Sequence, residues 1–522
     1  MNFAIFKALA LNEVRLRLRR TSTLVALLAV SIISWAMIGD PAAGTALIVI
    51  DDVRVHYTSN VIAIGSASLA CILFGLGGFY LVRGRVAEDV RSGTGSVIAA
   101  TPVGNALFLW SRWAGGVAYL GALMVAFMFT MLALHLVRGH GPVEILVYLE
   151  YYALLLLPML FFTVSCAILF DSVAWLMGKA GDVLYFFVWC AQLGAAIAVT
   201  AGTSREVPLM TMFDFSGIGA SMLLIRQGFD TTNIALGGGS FNAALAPLTL
   251  EGTLWTAKLV AMRAASAALA LLPLLPAIFL FHRFSPDQVK VSSAAKRRSP
   301  LDVLNAALRP LARVAKPLFS LAARLPGVPG QVLADVALTF VTSPSALAVV
   351  LGITLAAAVV PAAVLAPLLM AGVAFWGVLI SDLSTRDFGA SIEDITGTVQ
   401  GGVIGRFVRQ YAATALLGFM FTGMVLLRFA FTEPHRAMAV VAGVLCLSAL
   451  ASLFGRCART SRLFLALFLF GLYVAVNVVT VPMIDAFGFN GVANGQSALT
   501  YFAVGALALA GGYWWNRRAL LS

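Results

Sequence analysis

Charge is scarce in this sequence. Only 11% of its 522 residues are Asp, Glu, Lys or Arg, while 61% are hydrophobic; a soluble domain carries about 25% charge. That balance excludes a soluble globular fold and leaves an integral membrane protein. The apolar runs are continuous rather than alternating, so they read as helices and not as barrel strands. Many reach the roughly 18 residues needed to cross a hydrocarbon core of about 30 Å.

Cysteine, histidine and hydrolytic motifs are equally thin. The five cysteines (Cys71, Cys166, Cys190, Cys446, Cys457) lie in or at the ends of apolar runs. They form no C-x-x-C pair, which argues against a disulfide framework and a zinc site. The chain has five histidines but no H-E-x-x-H and no G-x-S-x-G, so zinc-peptidase and nucleophile-elbow chemistry lack their parts. His135 and His140 read as interfacial hydrogen-bonding groups ahead of metal ligands. The glycine-rich stretch RSGTGSVIAATPVG (91–104) raises the question of a phosphate loop. A Walker loop needs a lysine beside its last glycine to neutralise phosphate, and a hydroxyl to hold magnesium. Gly93 and Gly95 have no such lysine, and the one Gly-Lys pair, Gly178-Lys179, is followed by Ala180. The sequence therefore predicts no enzyme activity, ATP hydrolysis included, and no cofactor bound by this chain. Ionisable groups are also missing from the middles of the apolar runs, which counts against ion-coupled transport.

What remains is a polytopic pattern. Twelve spans are expected, at 23–39, 59–82, 108–136, 145–170, 183–201, 256–281, 345–360, 362–381, 411–430, 437–455, 462–482 and 497–514. Only Pro361 and its neighbours separate the seventh from the eighth, so that region reads as two spans or one broken element. The leading segment is long and read as amphipathic, so the first span is expected to be retained rather than cleaved as a signal. The net charge of +12 is assigned to basic cytoplasmic loops rather than to nucleic acid. With both termini cytoplasmic, most of the basic residues fall inside while the acids divide nearly evenly, as the positive-inside rule requires.

A basic, proline-punctuated stretch divides the spans into two sets of six. The expected domains are 1–282, a linker over 283–330 and 331–522. In the linker, Leu304, Leu308, Leu311, Val314 and Leu318 recur at helical spacing among Arg and Lys, which predicts an interfacial helix on the inner leaflet. At an offset of 297 Thr101 falls on Thr398, Val103 on Gln400, Gly104 on Gly401 and Arg112 on Arg409; a parallel six-span repeat explains this. The segment 202–255 is expected to lay an amphipathic helix on the outer leaflet as a lid or anchor. Four polar residues in the spans, Thr163, Ser165, Gln192 and Asn477, read as interhelical glue first and as lining of a substrate pathway second.

With the repeat, the uncharged spans and the polar stretch between spans 2 and 3 in place, the chain resembles the membrane subunits of type-two ABC exporters. The resemblance rests on the elbow-like segment 2–20 and on Glu88-Asp89, Gly93-Thr94 and Ala100-Thr101-Pro102-Val103 before span 3. It implies an all-α fold of two six-helix repeats, each opening with an amphipathic elbow helix. It further implies a coupling segment in each half that docks a separate ATPase, two copies of which carry the ATP and Mg. In the first half this puts Arg85, Glu88, Asp89, Arg91, Gly93 and Thr94 at the ATPase, with Thr101 and Pro102 closing the segment. In the second half it nominates Arg386, Asp387, Glu393, Asp394 and Thr398, although Thr398-Val399 and Ile392-Glu393-Asp394 depart from the family pattern. Export of a hydrophobic or amphiphilic substrate across a bacterial inner membrane is the function implied; a twelve-span ion-coupled carrier is the alternative.

Overall fold

The computed structural model describes residues 2–19, 21–41, 44–200, 206–229, 231, 233–250, 252, 254–282, 284, 300–390, 392–398 and 401–518. The chain forms two compact units, Met1–Arg297 and Arg298–Ser522. Among the described residues, eight helical stretches are long and apolar enough to cross a membrane, or nine if one bent pair counts as a single span.

The first unit begins with α1 (Asn2–Leu18) and α2 (Thr21–Met37). A strand β1 (Thr45–Ile50), a second strand β2 (Val53–Arg54) and the central helix α3 (Ser59–Val82) follow. Two short helices, α4 (Arg85–Arg91) and α5 (Thr94–Ala99), lead into the long α6 (Asn105–Arg138). The unit continues with α7 (Ile145–Tyr151), α8 (Leu157–Ser172), α9 (Lys179–Thr200) and α10 (Ile218–Gly228). It closes with β3 (Ile234–Ser240), α11 (Ala257–Leu269) and α12 (Leu274–Leu280). Helix α3 is apolar all round and buried along most of its length, as expected of a helix enclosed by others. It packs against α6, α7 and α8, and α1 and α2 lie along α6.

Two expectations change here. The 202–255 segment does not rest on a surface: Leu223, Leu224 and Ile225 of α10 are buried, and Ser68 of α3 donates to Ser221 at 2.7 Å. Nor is the unit wholly helical, because β1 pairs antiparallel with β2 and with β3. The run TALIVI is apolar and β-branched enough to form a buried strand. Asp51 and Asp52 turn it with positive φ of 48° and 63°, the backbone that a two-residue hairpin demands.

The second unit opens with α13 (Pro300–Ala307), α14 (Lys316–Arg324) and α15 (Val328–Thr342). Next come α16 (Pro344–Val359), α17 (Leu365–Ile380), α18 (Arg386–Gly389) and α19 (Glu393–Gly397). The long α20 (Gly402–Thr432) is followed by α21 (Pro434–Ala458), α22 (Ser461–Asn477) and α23 (Gly495–Arg518). Helices α15 and α16 meet at 100°. Around Pro361 the chain makes a hairpin rather than one broken helix, since a Cβ on Gly372 of α17 would lie 3.2 Å from the Ile353 side chain of α16. Helices α15 and α16 both pack on α20, as α1 and α2 do on α6. Arginines on the long helices cap the ends of their short neighbours. Arg138 of α6 donates to Ile38 O just past α2 at 2.7 Å, and Arg428 of α20 to Ala357 O of α16 at 2.8 Å. Both satisfy carbonyls that a helix end leaves open.

Expected spans 1, 7 and 11 fall on α2, α16 and α22, of 17, 16 and 17 residues; at 1.5 Å per residue each extends only about 24–26 Å. The twelfth falls on α23, which is long enough but is interrupted by Gln496, Thr500 and the aromatic run Tyr513-Trp514-Trp515.

Candidate docking segments

Each unit places a short polar segment between a span and its long helix. In the first unit Gly84 and Gly93 adopt φ of 94° and 74° and so start α4 and α5. Asp171 on α8 accepts the backbone N–H groups of Gly84 and Arg85 at 2.7 and 3.1 Å, supplying the anionic cap that a helix N-terminus favours. Below lies a chain of alternating charges. Arg17 pairs with Glu13 at 2.6 Å, Arg85 reaches Glu13 and Asp89 at 3.3 Å each, and Arg112 closes on Asp89. The network thus joins α1, α4 and α6. Arg17 also donates to Leu81 O and Val82 O, at 3.0 and 2.8 Å, at the end of α3. Burial by itself would raise the Glu13 carboxyl, but the guanidiniums of Arg17, Arg112 and Arg85 outweigh it and hold the group below its ordinary value. Arg83 makes a parallel anchor, bridging to Asp182 of α9 at 2.5 Å and to Asp171 at 3.7 Å.

The sequence treats Glu88 and Asp89 alike, as charges offered to a partner. They differ: the Glu88 side chain is 46% exposed and the Asp89 side chain 5%. Asp89 is spent inside the unit, and Arg85 with it. What faces outward is Glu88, Arg91, Gly93, Thr94, Pro102 and the side chain of Val97, which is 67% exposed. Thr101 donates to Ile98 O at 2.7 Å and closes the turn before α6.

The second unit builds the same kind of base from other positions. Arg409 of α20 reaches Asp335 of α15 at 3.0 Å and Asp387 of α18 at 3.8 Å. Arg386 donates to Thr339 Oγ1 of α15 at 3.0 Å. Glu393 on α19 is held by Arg406 of α20 at 3.2 Å and by Arg456 of α21 at 2.6 Å, and Arg456 donates in turn to Asn516 of α23. Ile395 stands 68% exposed, and Thr398 donates to Ile395 O at 2.8 Å, the counterpart of Thr101 on Ile98. The side chain of Asp394, residues Val399 and Gln400, and linker residues 285–299 fall outside the described residues.

Burial would raise the Glu393 carboxyl from its ordinary 4.5, yet the Arg456 hydrogen bond and the guanidiniums of Arg456, Arg406 and Arg459 more than offset it, so the group is lowered. A carboxyl lowered by folding contributes stability that is complete above its unfolded pKa and is lost as pH falls through its folded value. A nitroxide at Thr398→Cys is therefore expected to gain mobility as pH falls below 4.5, and to show no such step with Glu393→Gln. An unchanged acid step in the Gln variant would exclude Glu393 as its source.

Of the four pathway candidates, Thr163, Ser165 and Gln192 lie in the first unit and Asn477 in the second. Thr163 and Ser165 are fully buried in the first unit, where Tyr185 Oη donates to Thr163 and Ser165 donates back to Phe161 O. Gln192 is half-buried, while Asn477 ends α22, exposed and bonded to Tyr473 O. Two water-sized cavities flank Phe281 and Phe284 under α4 and α5, and neither touches these four residues. Among the described residues, no group of three or more His, Cys, Asp or Glu could hold a metal ion.

Sequence reasoning missed Glu13, Arg17, Asp335, Arg406 and Arg456, which form the ionic base. The Glu13–Arg17 spacing of four was a signal, since i,i+4 acid–base pairs share a helix face. It also missed Arg263 on α11, 1% exposed, which donates to Leu154 O and Leu155 O at 2.9 Å each and to Asp214 O. Leu154 and Leu155 lie in a π-helical turn, Tyr152–Leu156, whose shifted bonding opens carbonyls to outside donors. No protein-family model matches this chain, and no curated protein matches it.

Proposed function

We propose that the chain is the membrane permease of an ABC exporter, and that α5 and α19 are the segments by which it engages a separate ATPase. The observation that carries this reading is the pair of short helices, each raised on an ionic base, buried in the first unit and part-buried in the second, and each bearing an exposed aliphatic side chain, Val97 or Ile395. An apolar knob on a rigid charged base suits a groove in a soluble partner, because anchors of this sort supply binding energy while the base keeps them in place. A push on α5 would pass through Asp89 and Arg112 into α6, and through Arg85 and Glu13 into α1. Pairs this deeply buried are costly to break, so the connected helices would move together. A push on α19 would pass through Glu393 into α20 and α21.

In this reading α2, α16, α22 and α23 complete twelve spans as two six-helix repeats. Helices α1 and α15 are the elbows, and both termini face the cytoplasm of a bacterium. Two copies of the ATPase bring the ATP and Mg. The exposed Val303, Leu304, Val314, Phe319 and Leu321 among Arg309, Arg313, Lys316 and Arg324 would lie on anionic lipid of the inner leaflet. The cargo would be hydrophobic or amphiphilic.

The test is co-purification with an ATPase candidate. Val97→Asp and Ile395→Asp together are expected to cut recovery of the complex at least tenfold while the chain elutes unchanged from a sizing column. Full recovery of the complex by the double variant would remove the docking assignment.

A further inference from the structure

Beyond α12 the chain carries Phe281 and Phe284 back under the first docking segment. Phe284 is 6% exposed and holds a φ of 62°, a left-handed backbone that a residue with a Cβ adopts only when its surroundings fix it. Its ring meets Phe281 edge-on at 5.3 Å and Phe108 at 5.8 Å, and the Arg112 guanidinium stands 5.9 Å from its centre. Above it, Gly95 lets α5 descend onto the ring: a Cβ there would lie 2.9 Å from the Phe284 ring. Asn105, the first residue of α6, donates to Phe281 O at 3.0 Å and ties the same chain to the other end of the segment.

The second unit grips its own segment differently. There Arg456 near the end of α21 reaches Glu393 of α19, and Asn516 of α23 accepts from Arg456, so the grip is ionic. Each segment thus has a further hold from late in its own unit, aromatic from Phe284 in the first and ionic from Arg456 in the second.

We propose that Phe284 is a positioning latch, whose ring seats α5 on the base of α6 so that the chain leaving α12 sets how firmly the exposed Val97 segment is presented. Its consequence for ATPase docking rests on the permease reading; the latch itself does not. It also makes the two segments respond to different conditions, because an aromatic seat is indifferent to salt while an ion pair whose side chains keep 11% and 19% exposure is partly screened by it.

The test is amide hydrogen exchange on the full chain without any ATPase, followed over residues 94–104 and 392–398. Phe284→Gly relieves the backbone but removes the ring, and Gly95→Ala pushes the ring out without altering Phe284. Each is expected to speed exchange over 94–104 about tenfold and to leave 392–398 unchanged, and Phe284→Tyr is expected to restore protection. Salt at 1 M is expected to speed exchange over 392–398 only. Protection over 94–104 that survives both Phe284→Gly and Gly95→Ala would overturn the latch, as would equal loosening of 392–398 in those variants. A failed permease reading would show instead as no ATPase bound, with the exchange result intact.

Discussion

Arg112→Met is expected to cost the first unit most of its stability, while Glu88→Ala costs almost nothing. Arg112 closes on Asp89, and the side chains are only 10% and 5% exposed. Removing one partner of a buried pair leaves the other charge desolvated, which typically costs about 3–5 kcal/mol. Arg85 still reaches Asp89 at 3.3 Å, so the loss should fall toward the lower end of that range. Glu88, nearly half exposed, pairs with Arg85 at 2.9 Å; such surface pairs are worth about 0–1 kcal/mol. The measurement is the yield of monodisperse protein and its thermal midpoint in detergent. Asp89→Asn combined with Arg112→Met should recover part of the loss, because no uncompensated carboxylate remains. Equal behaviour of Arg112→Met and Glu88→Ala would show that the ionic base does not hold the unit together.

A comparable loss is expected for Arg263→Met. The guanidinium feeds Leu154 O, Leu155 O and Asp214 O, the last two at buried sites. Each orphaned acceptor costs about 1–3 kcal/mol. Arg263→Lys should recover less than half of the loss, because a single ammonium cannot span the fork that the guanidinium fills. Full recovery with lysine would mean that charge alone matters at this position. Because its donors are taken up by backbone oxygens, Arg263 reads as a structural brace of the π turn, and it lends no weight to an ion-coupled carrier.

The long apolar helices could be read from composition, since nothing else accounts for runs such as Ser59–Val82. The number of spans could be read less well, because α2, α16 and α22 are only 16 or 17 residues long and hydropathy alone does not show where a helix stops. The sheet could not be read at all. TALIVI is as apolar as any span, and its partner Ile234–Ser240 is glycine-rich and far along the chain. In the docking segments the alignment found Thr101 with Thr398 and Arg112 with Arg409, and both pairs do play matching parts. The same offset sets Asp89 against Arg386, whereas the structural counterpart of Asp89 is Asp387, one residue further on. A single inserted residue turns a helix by about 100°, so a fixed offset loses the partner acid while keeping the arginine. The elbow acids Glu13 and Asp335 share no visible spacing with these segments and emerge only from packing.

The first helix, read from sequence as amphipathic, buries two charged side chains and exposes apolar ones together with Lys7, Asn12 and Arg15. Its buried side chains are Glu13 and Arg17, while Phe3, Leu11, Leu16 and Leu18 point outward. Glu13 and Arg17 pair with each other on α1, but their remaining partners are made late: Arg17 bonds residues 64 and 65 positions downstream, and Arg85 and Arg112 follow further on. During synthesis α1 is therefore expected to have no finished seat until α6 has left the ribosome. Assembly of this unit is ordered by that delay. A chain arrested before Arg112 should leave α1 open to protease, and one arrested after α6 should protect it.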